Sequence, residues 1–381
     1  MRKITLVIAC LVGSSFLFSS CKKDENGTDS NNALVTFDAA YVVNGESNSI
    51  SVINLGTNKV DKTIDLTNLQ SSMGMGMMGS GTSNMWPHHI SLSPDKSKLA
   101  VALPGSDFNG GSGMMLSSFT AGSMMGDLPA NFKTQGKILI LDAITGVVLK
   151  ELSIEGIAFN AIFSPDGKEL WTAVMMPEGK VNVFDATTYA LLNTISAGQM
   201  PAEVTFSDDG KKVFVANGMS NNVSLIDAVS KQVLENKAVG DYPVGAWPGM
   251  NGMMYVENEK DQSISILNSM TNMMTGTMQL GFTPGMAARN TMMNQMWVSD
   301  PNGSKIHVWT NTGSGYAESG TATVGYGASA IAFNKDGTTC YVTNQKDGSV
   351  SVVDVATLKE IMKITVGKKP NGIVIRYKSN L

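Results

Sequence analysis

Only three histidines occur in this 381-residue chain, and two of them are adjacent, His88 and His89. They follow Trp86-Pro87 at the end of a Gly/Met tract carrying Met73, Met75, Met77, Met78 and Met85. A second such tract holds Met114, Met115, Met124 and Met125. Thioether sulfur is a soft ligand, so Met73, Met75, Met77 and Met78 with His88 and His89 make a donor set suited to Cu(I). The same methionines also suit an adaptable apolar contact surface, being long, unbranched and polarisable. For the two histidines alone, a hydrogen-bonded structural role competes with ligation, and His307, inside a strand pattern, reads as structural. The chain has no Gly-x-Ser-x-Gly elbow, no His-Glu-x-x-His helix and no phosphate-binding glycine loop. Asp142, Asp185, Asp227 and Asp354 look like an acid cluster, but they recur at one position of a repeat, where turn capping accounts for them.

That repeat must position everything else. Residues 338–377 read TTCYVTNQKDGSVSVVDVATLKEIMKITVGKKPNGIVIRY. Related lines recur with a period of about 40 residues, the signature of a stacked or circular array. Each unit has a strand ending in Asn, a polar turn, a strand ending in Asp, a third strand, and Gly-x-x-Pro leading into a fourth. Within each strand branched and polar residues alternate, as expected of half-buried strands. Seven copies begin near Tyr41, Leu99, Leu170, Val213, Met254, Met296 and Cys340. Two insertions break the period, at 67–86 and 105–136. If strands alternate in direction within a unit, both insertions emerge on one face, beside the second unit.

The repeat resembles that of the YVTN-repeat family of seven-bladed β-propellers, over about residues 39–378. The resemblance implies an all-β fold of four-stranded antiparallel blades, closed by pairing of the N- and C-terminal strands. The chain enters at the second strand of a blade, near Tyr41, and leaves after a first-type strand, Gly372–Tyr377. That last strand is expected to complete the blade begun by residues 39–66.

In such a ring the residue two past each proline-equivalent faces the central funnel. These positions hold His89, Asn160, Glu203, Gly245, Met286, Ala330 and Gly372. His89, Glu203 and Met286 are therefore expected to converge, with Asn160 nearby. Three function classes follow. The leading expectation is a non-enzymatic module that binds a protein or small-molecule ligand through the Met-rich face. The alternative is copper binding or handling through the methionines with His88 and His89. The third is a funnel enzyme such as a lactonase, a class with seven blades that also resembles this family; Glu203 with His89 is its one acid/base pair. The propeller of nitrous oxide reductase holds copper through many histidines, which three cannot supply.

The chain starts with Arg2 and Lys3, an apolar run from Ile4 to Phe18, and Ser19-Ser20-Cys21. This resembles a bacterial lipoprotein signal, with 1–20 removed, Cys21 lipidated, 21–33 a polar tether and 34–381 the propeller. Lys22-Lys23-Asp24-Glu25 resembles the export signal of surface lipoproteins. The expected location is the outer membrane of a Gram-negative bacterium, facing outward, with a lipid anchor and a monomeric domain. A formal charge of −4 argues against nucleic acid as a partner, because little would neutralise phosphates. Apart from Cys10 and Cys21 only Cys340 remains, so the domain has no internal disulfide and relies on its core.

Overall fold

The structure, a computed structural model, describes residues 33–67, 85–105, 136–313 and 315–378. Within them, 28 strands form seven antiparallel sheets of four strands each, the blades of a seven-bladed β-propeller. In six blades the chain runs from the innermost strand outward, one strand at a time. The expected half-burial is seen only at the rim. Second strands such as Met253–Asn258 are buried almost throughout, while outer strands such as Val233–Ala238 are largely exposed. A second strand has a blade packed on each side, so both of its faces must be apolar.

One repeat position supplies most of that packing. Tyr41, Trp171, Phe214, Tyr255, Trp297 and Tyr341 occupy it in six blades, and Ala100 occupies it in the second. All are buried between blades. Tyr255 of the fifth blade, for example, joins Ala287, Met296 and Val298 of the sixth. Burying an aromatic side chain contributes about 1.5–3 kcal/mol, so this layer is a main source of cohesion between neighbours.

The ring closes as the repeat frame requires. Ala39–Asn44 pairs antiparallel with Pro370–Arg376, with Tyr41 opposite Val374. N- and C-terminal strands thus share the first blade, and the inner edge that an open array would expose is paired.

The Asn and Gly of the repeat explain each other. Asn44, Asn217, Asn258 and Asn344 end second strands and are fully buried. Each carboxamide nitrogen donates to two side chains of the third strand, as Asn344 does to Ser349 (3.0 Å) and Ser351 (2.8 Å). The glycine of Gly-x-x-Pro lies flat on the same carboxamide. A Cβ on Gly198, Gly240, Gly325 or Gly367 would fall 2.5–2.6 Å from the Asn Cγ, so no side chain fits.

The second blade departs from this pattern. Leu103 stands where Asn is usual, and the chain continues into the 105–136 insertion. Inner strands of blades two and three are short, Ile90–Leu92 and Ile162–Phe163, against six residues in blade four. The bases of the two insertions meet, because Gly105 N–H donates to Met85 O at 3.1 Å. Both insertions therefore leave one face, as expected. Cys21, Met73, Met75, Met77 and Met78 lie outside the described residues.

The Asn–Gly contact yields a direct test. Gly367→Ala should destabilise the protein by about 2 kcal/mol or more, the range of a forced core clash. Gly276→Ala, with open space around the new methyl, should stay within about 0.5 kcal/mol. Urea unfolding compares the two, and equal effects would contradict the packing role of the repeat glycine.

Candidate functional site

The funnel begins where each inner strand enters, on the face from which the two insertions leave. The residue before the proline-equivalent is left-handed in several blades: Trp86 (φ 52°), Met200 (φ 52°), Tyr242 (φ 59°) and Lys369 (φ 51°). Register then slips between Pro201 and Val204, and between Pro243 and Gly245. Such a bulge bends the strand and re-aims the side chains beside it. Glu203 sits inside one bulge and Gly245 ends the other.

His88 and His89 are held by their backbones. His88 N–H donates to Ala102 O at 2.9 Å, and Ala102 N–H donates to His89 O at 3.0 Å. From the closing strand, Gly372 N–H donates to His88 O at 2.9 Å. A Cβ on Gly372 would sit 3.0 Å from His89 Cα, so the absent side chain permits this approach.

The expected pair forms. His89 Nε2 meets Glu203 Oε1 at 2.6 Å, joining blades two and four across the entrance. Glu203 accepts at Nε2, which leaves Nδ1 as the position for the lone pair of a neutral imidazole. His89 also lies 5.9 Å from the Trp247 ring, and His88 meets the edge of Phe159 at 4.8 Å.

The other funnel residues take different roles. The Asn160 carboxamide donates to Val204 O (2.9 Å) and accepts from Val204 N–H (3.1 Å). It thus imitates a strand and fixes the residue next to Glu203. Met286 packs with the apolar cluster of blades six and seven, and its sulfur accepts Ile331 N–H at 3.3 Å. Met175 and Met200 fill a buried cluster with Ile157, Phe159 and Ala202. His307 stacks on Phe282 at 4.3 Å and lies 3.3 Å from Glu318. The recurring aspartates cap turns: Asp142 accepts from Ile144 N–H and Thr145 N–H, and Asp185 from Thr187 and Thr188. Burial pushes the Cys340 thiol well up, which disfavours its reactive thiolate.

Sequence reasoning missed Glu257 and Trp247. Glu257 precedes Asn258, where other blades carry Val43, Ala102, Ala173, Ala216, Ser299 or Thr343. A charged residue at a position otherwise small or uncharged was the available signal. Glu257 is 2 % exposed, and one of its oxygens accepts Ala287 N–H. Burial, then the neighbouring Glu203 charge, push its carboxyl well above the usual range. The Ala287 N–H pulls the other way. So does the Trp247 indole, which lies beside the carboxyl without closing a hydrogen bond of ordinary geometry. Nearby, burial pushes Glu259 up to about 7. Among the described residues, no three His, Cys, Asp or Glu side chains are grouped to hold a metal.

No protein-family model and no curated protein sequence matches the chain. Solved structures do. A protein of unknown function from Desulfotomaculum acetoxidans superposes with TM-score 0.67 at 13 % identity, covering 90 % of this chain and all of that one. The periplasmic gluconolactonase of Pseudomonas aeruginosa gives 0.63 at 16 %, covering 90 % and 99 %. A Bacteroides uniformis protein with a proposed 6-phosphogluconolactonase assignment gives 0.63 at 12 %, covering 89 % and 99 %. At these identities the likeness is one of fold.

Glu257, buried, and Glu259, half-buried at its surface but largely desolvated, make stability depend on pH. Below its ordinary value of 4.5, Glu259 is protonated whether the chain is folded or not. As pH rises, the unfolded chain releases the proton first, so folding loses ground until about 7, where folded Glu259 ionises too. Glu257 acts with the same sign. Glu259→Gln should therefore gain stability relative to wild type between pH 4.5 and about 7, and gain no more above it. Urea unfolding across that interval measures this, and a pH-independent difference would count against burial of Glu259.

Proposed function

We propose that the funnel is a hydrolytic site for a small cyclic ester, with His89 as general base and Glu203 as the carboxylate that orients it. One observation carries the reading: the 2.6 Å contact between His89 and Glu203, side chains of blades that are not neighbours. A carboxylate-held imidazole at a partly buried entrance has the parts needed to activate water. In the proposed step, water oxygen attacks the lactone carbonyl and its proton passes to His89 Nδ1. The tetrahedral intermediate then expels the ring oxygen, which takes that proton back, and a hydroxy acid results. The names of two structural neighbours support a lactone as the ester. The Asn–Ser–Gly contacts support reading the repeat as the YVTN type.

A purified sample should hydrolyse glucono-δ-lactone or δ-valerolactone faster than buffer alone, followed by acid release. Glu203→Gln should lower kcat/KM by about 10²–10⁴-fold, the usual range for general acid–base groups. Asp209→Asn, in an exposed turn, should leave it unchanged. Activity indifferent to Glu203→Gln would sink the assignment of the site. Lack of hydrolysis would return the funnel to a binding role.

A further inference from the structure

The second oxygen of Glu203 poses a problem that the dyad does not solve. Glu203 is 7 % exposed, its Oε1 meets His89, and its Oε2 is buried with no donor from the backbone or from an ordinary donor side chain. A buried acceptor without a partner costs about 1–3 kcal/mol, and more when charged. Oε2 is closed to solvent, so a ligand or water cannot serve it while the side chains stay in place. Its partner must come from the protein.

Glu257 is the group in the right place. Its Oε1 is taken by Ala287 N–H, and its carboxyl lies beside the Trp247 indole. Glu257 Oε2 and the orphan Glu203 Oε2 approach the same point. From where a Cβ of Gly245 would stand, Glu257 Oε2 is 2.7 Å away and Glu203 Oε2 is 3.2 Å away. Trp247 Nε1 lies 2.8 Å from that point. Any side chain at residue 245 would separate these groups. Two ionised carboxylates this close, out of water, repel strongly, whereas a carboxylic acid beside a carboxylate supplies the missing donor.

We propose that Glu257 is a protonated acid that donates a hydrogen bond to Glu203 Oε2 and so positions Glu203 against His89. The chain of contacts runs Glu257, Glu203, His89, from the buried side of Gly245 to the funnel entrance. Glu257 touches no substrate; it is a positioning residue. Its high proton affinity agrees with this role. The activity readout below rests on the hydrolytic reading, and the spectroscopic one does not.

Infrared difference spectra of the intact protein, in mildly alkaline buffer where Glu259 is ionised, should show a protonated carboxyl band. Glu257→Gln should remove that band, and Glu203→Gln should shift it, because its acceptor changes from carboxylate to amide. In hydrolysis, Glu257→Gln should keep kcat within about 3-fold of wild type. Its amide oxygen can take the Ala287 N–H while its amide nitrogen donates to Glu203. Glu257→Leu, checked for a native fold by circular dichroism, should lose about 10²-fold in kcat with KM little changed, the scale of a misplaced catalytic group. A missing band, a band that survives Glu257→Gln, or equal damage from the Gln and Leu variants would overturn the proposal. If wild type hydrolyses no lactone, the hydrolytic reading fails and the infrared result alone decides the shared proton.

Discussion

Closure of the ring is the constraint on which the molecule depends. Seven blades bury their faces only against one another, so an unclosed array would leave two apolar faces in water. The pairing of Ala39–Asn44 with Pro370–Arg376 removes that problem and also sets the funnel. Arg376, at the end of the closing strand, donates to Lys96 O (3.1 Å) and Val35 O (3.3 Å), tying closure to the second blade. Gly372 in the same strand seats His88 and His89. The dyad is therefore tied to closure, since the closing strand helps hold the backbone from which His89 meets Glu203.

Cohesion and chemistry draw on different repeat positions. The aromatic position and the Asn–Ser–Gly contacts are alike in most blades and hold the scaffold. The proposed site sits where the repeat is broken: His89 in the blade whose Asn is Leu103, and Glu257 where neighbours are small or uncharged. Three acids, Glu203, Glu257 and Glu259, gather at blades four and five, an arrangement that opposes folding unless protons or partners offset it. A fold with this much buried apolar area tolerates such a local cost, and functional sites are where such costs collect.

Much of the scaffold was legible in the sequence because repeat period, turn residues and strand ends are local properties. The closing blade, the shared face of the insertions and the approach of His89 to Glu203 all followed from counting positions along the repeat. Other features are not local. Asn160 was expected beside the funnel residues, yet its carboxamide serves Val204 of the next blade, a choice only three-dimensional proximity reveals. The short inner strands of blades two and three also left no clear mark in composition. Glu257 was visible as an exception within its column of the repeat, but its meaning depends on Gly245, whose missing side chain gives no signal unless its neighbours are known.

The central claim is that Glu203 orients His89 across the funnel. Nitrogen NMR of histidine-labelled protein, assigned by comparison with His89→Gln, reads this directly. In the neutral imidazole, the account predicts a single tautomer with the proton on Nε2, toward Glu203, and the lone pair on Nδ1. A proton on Nδ1, or averaging between the two tautomers as in a free imidazole, would contradict it.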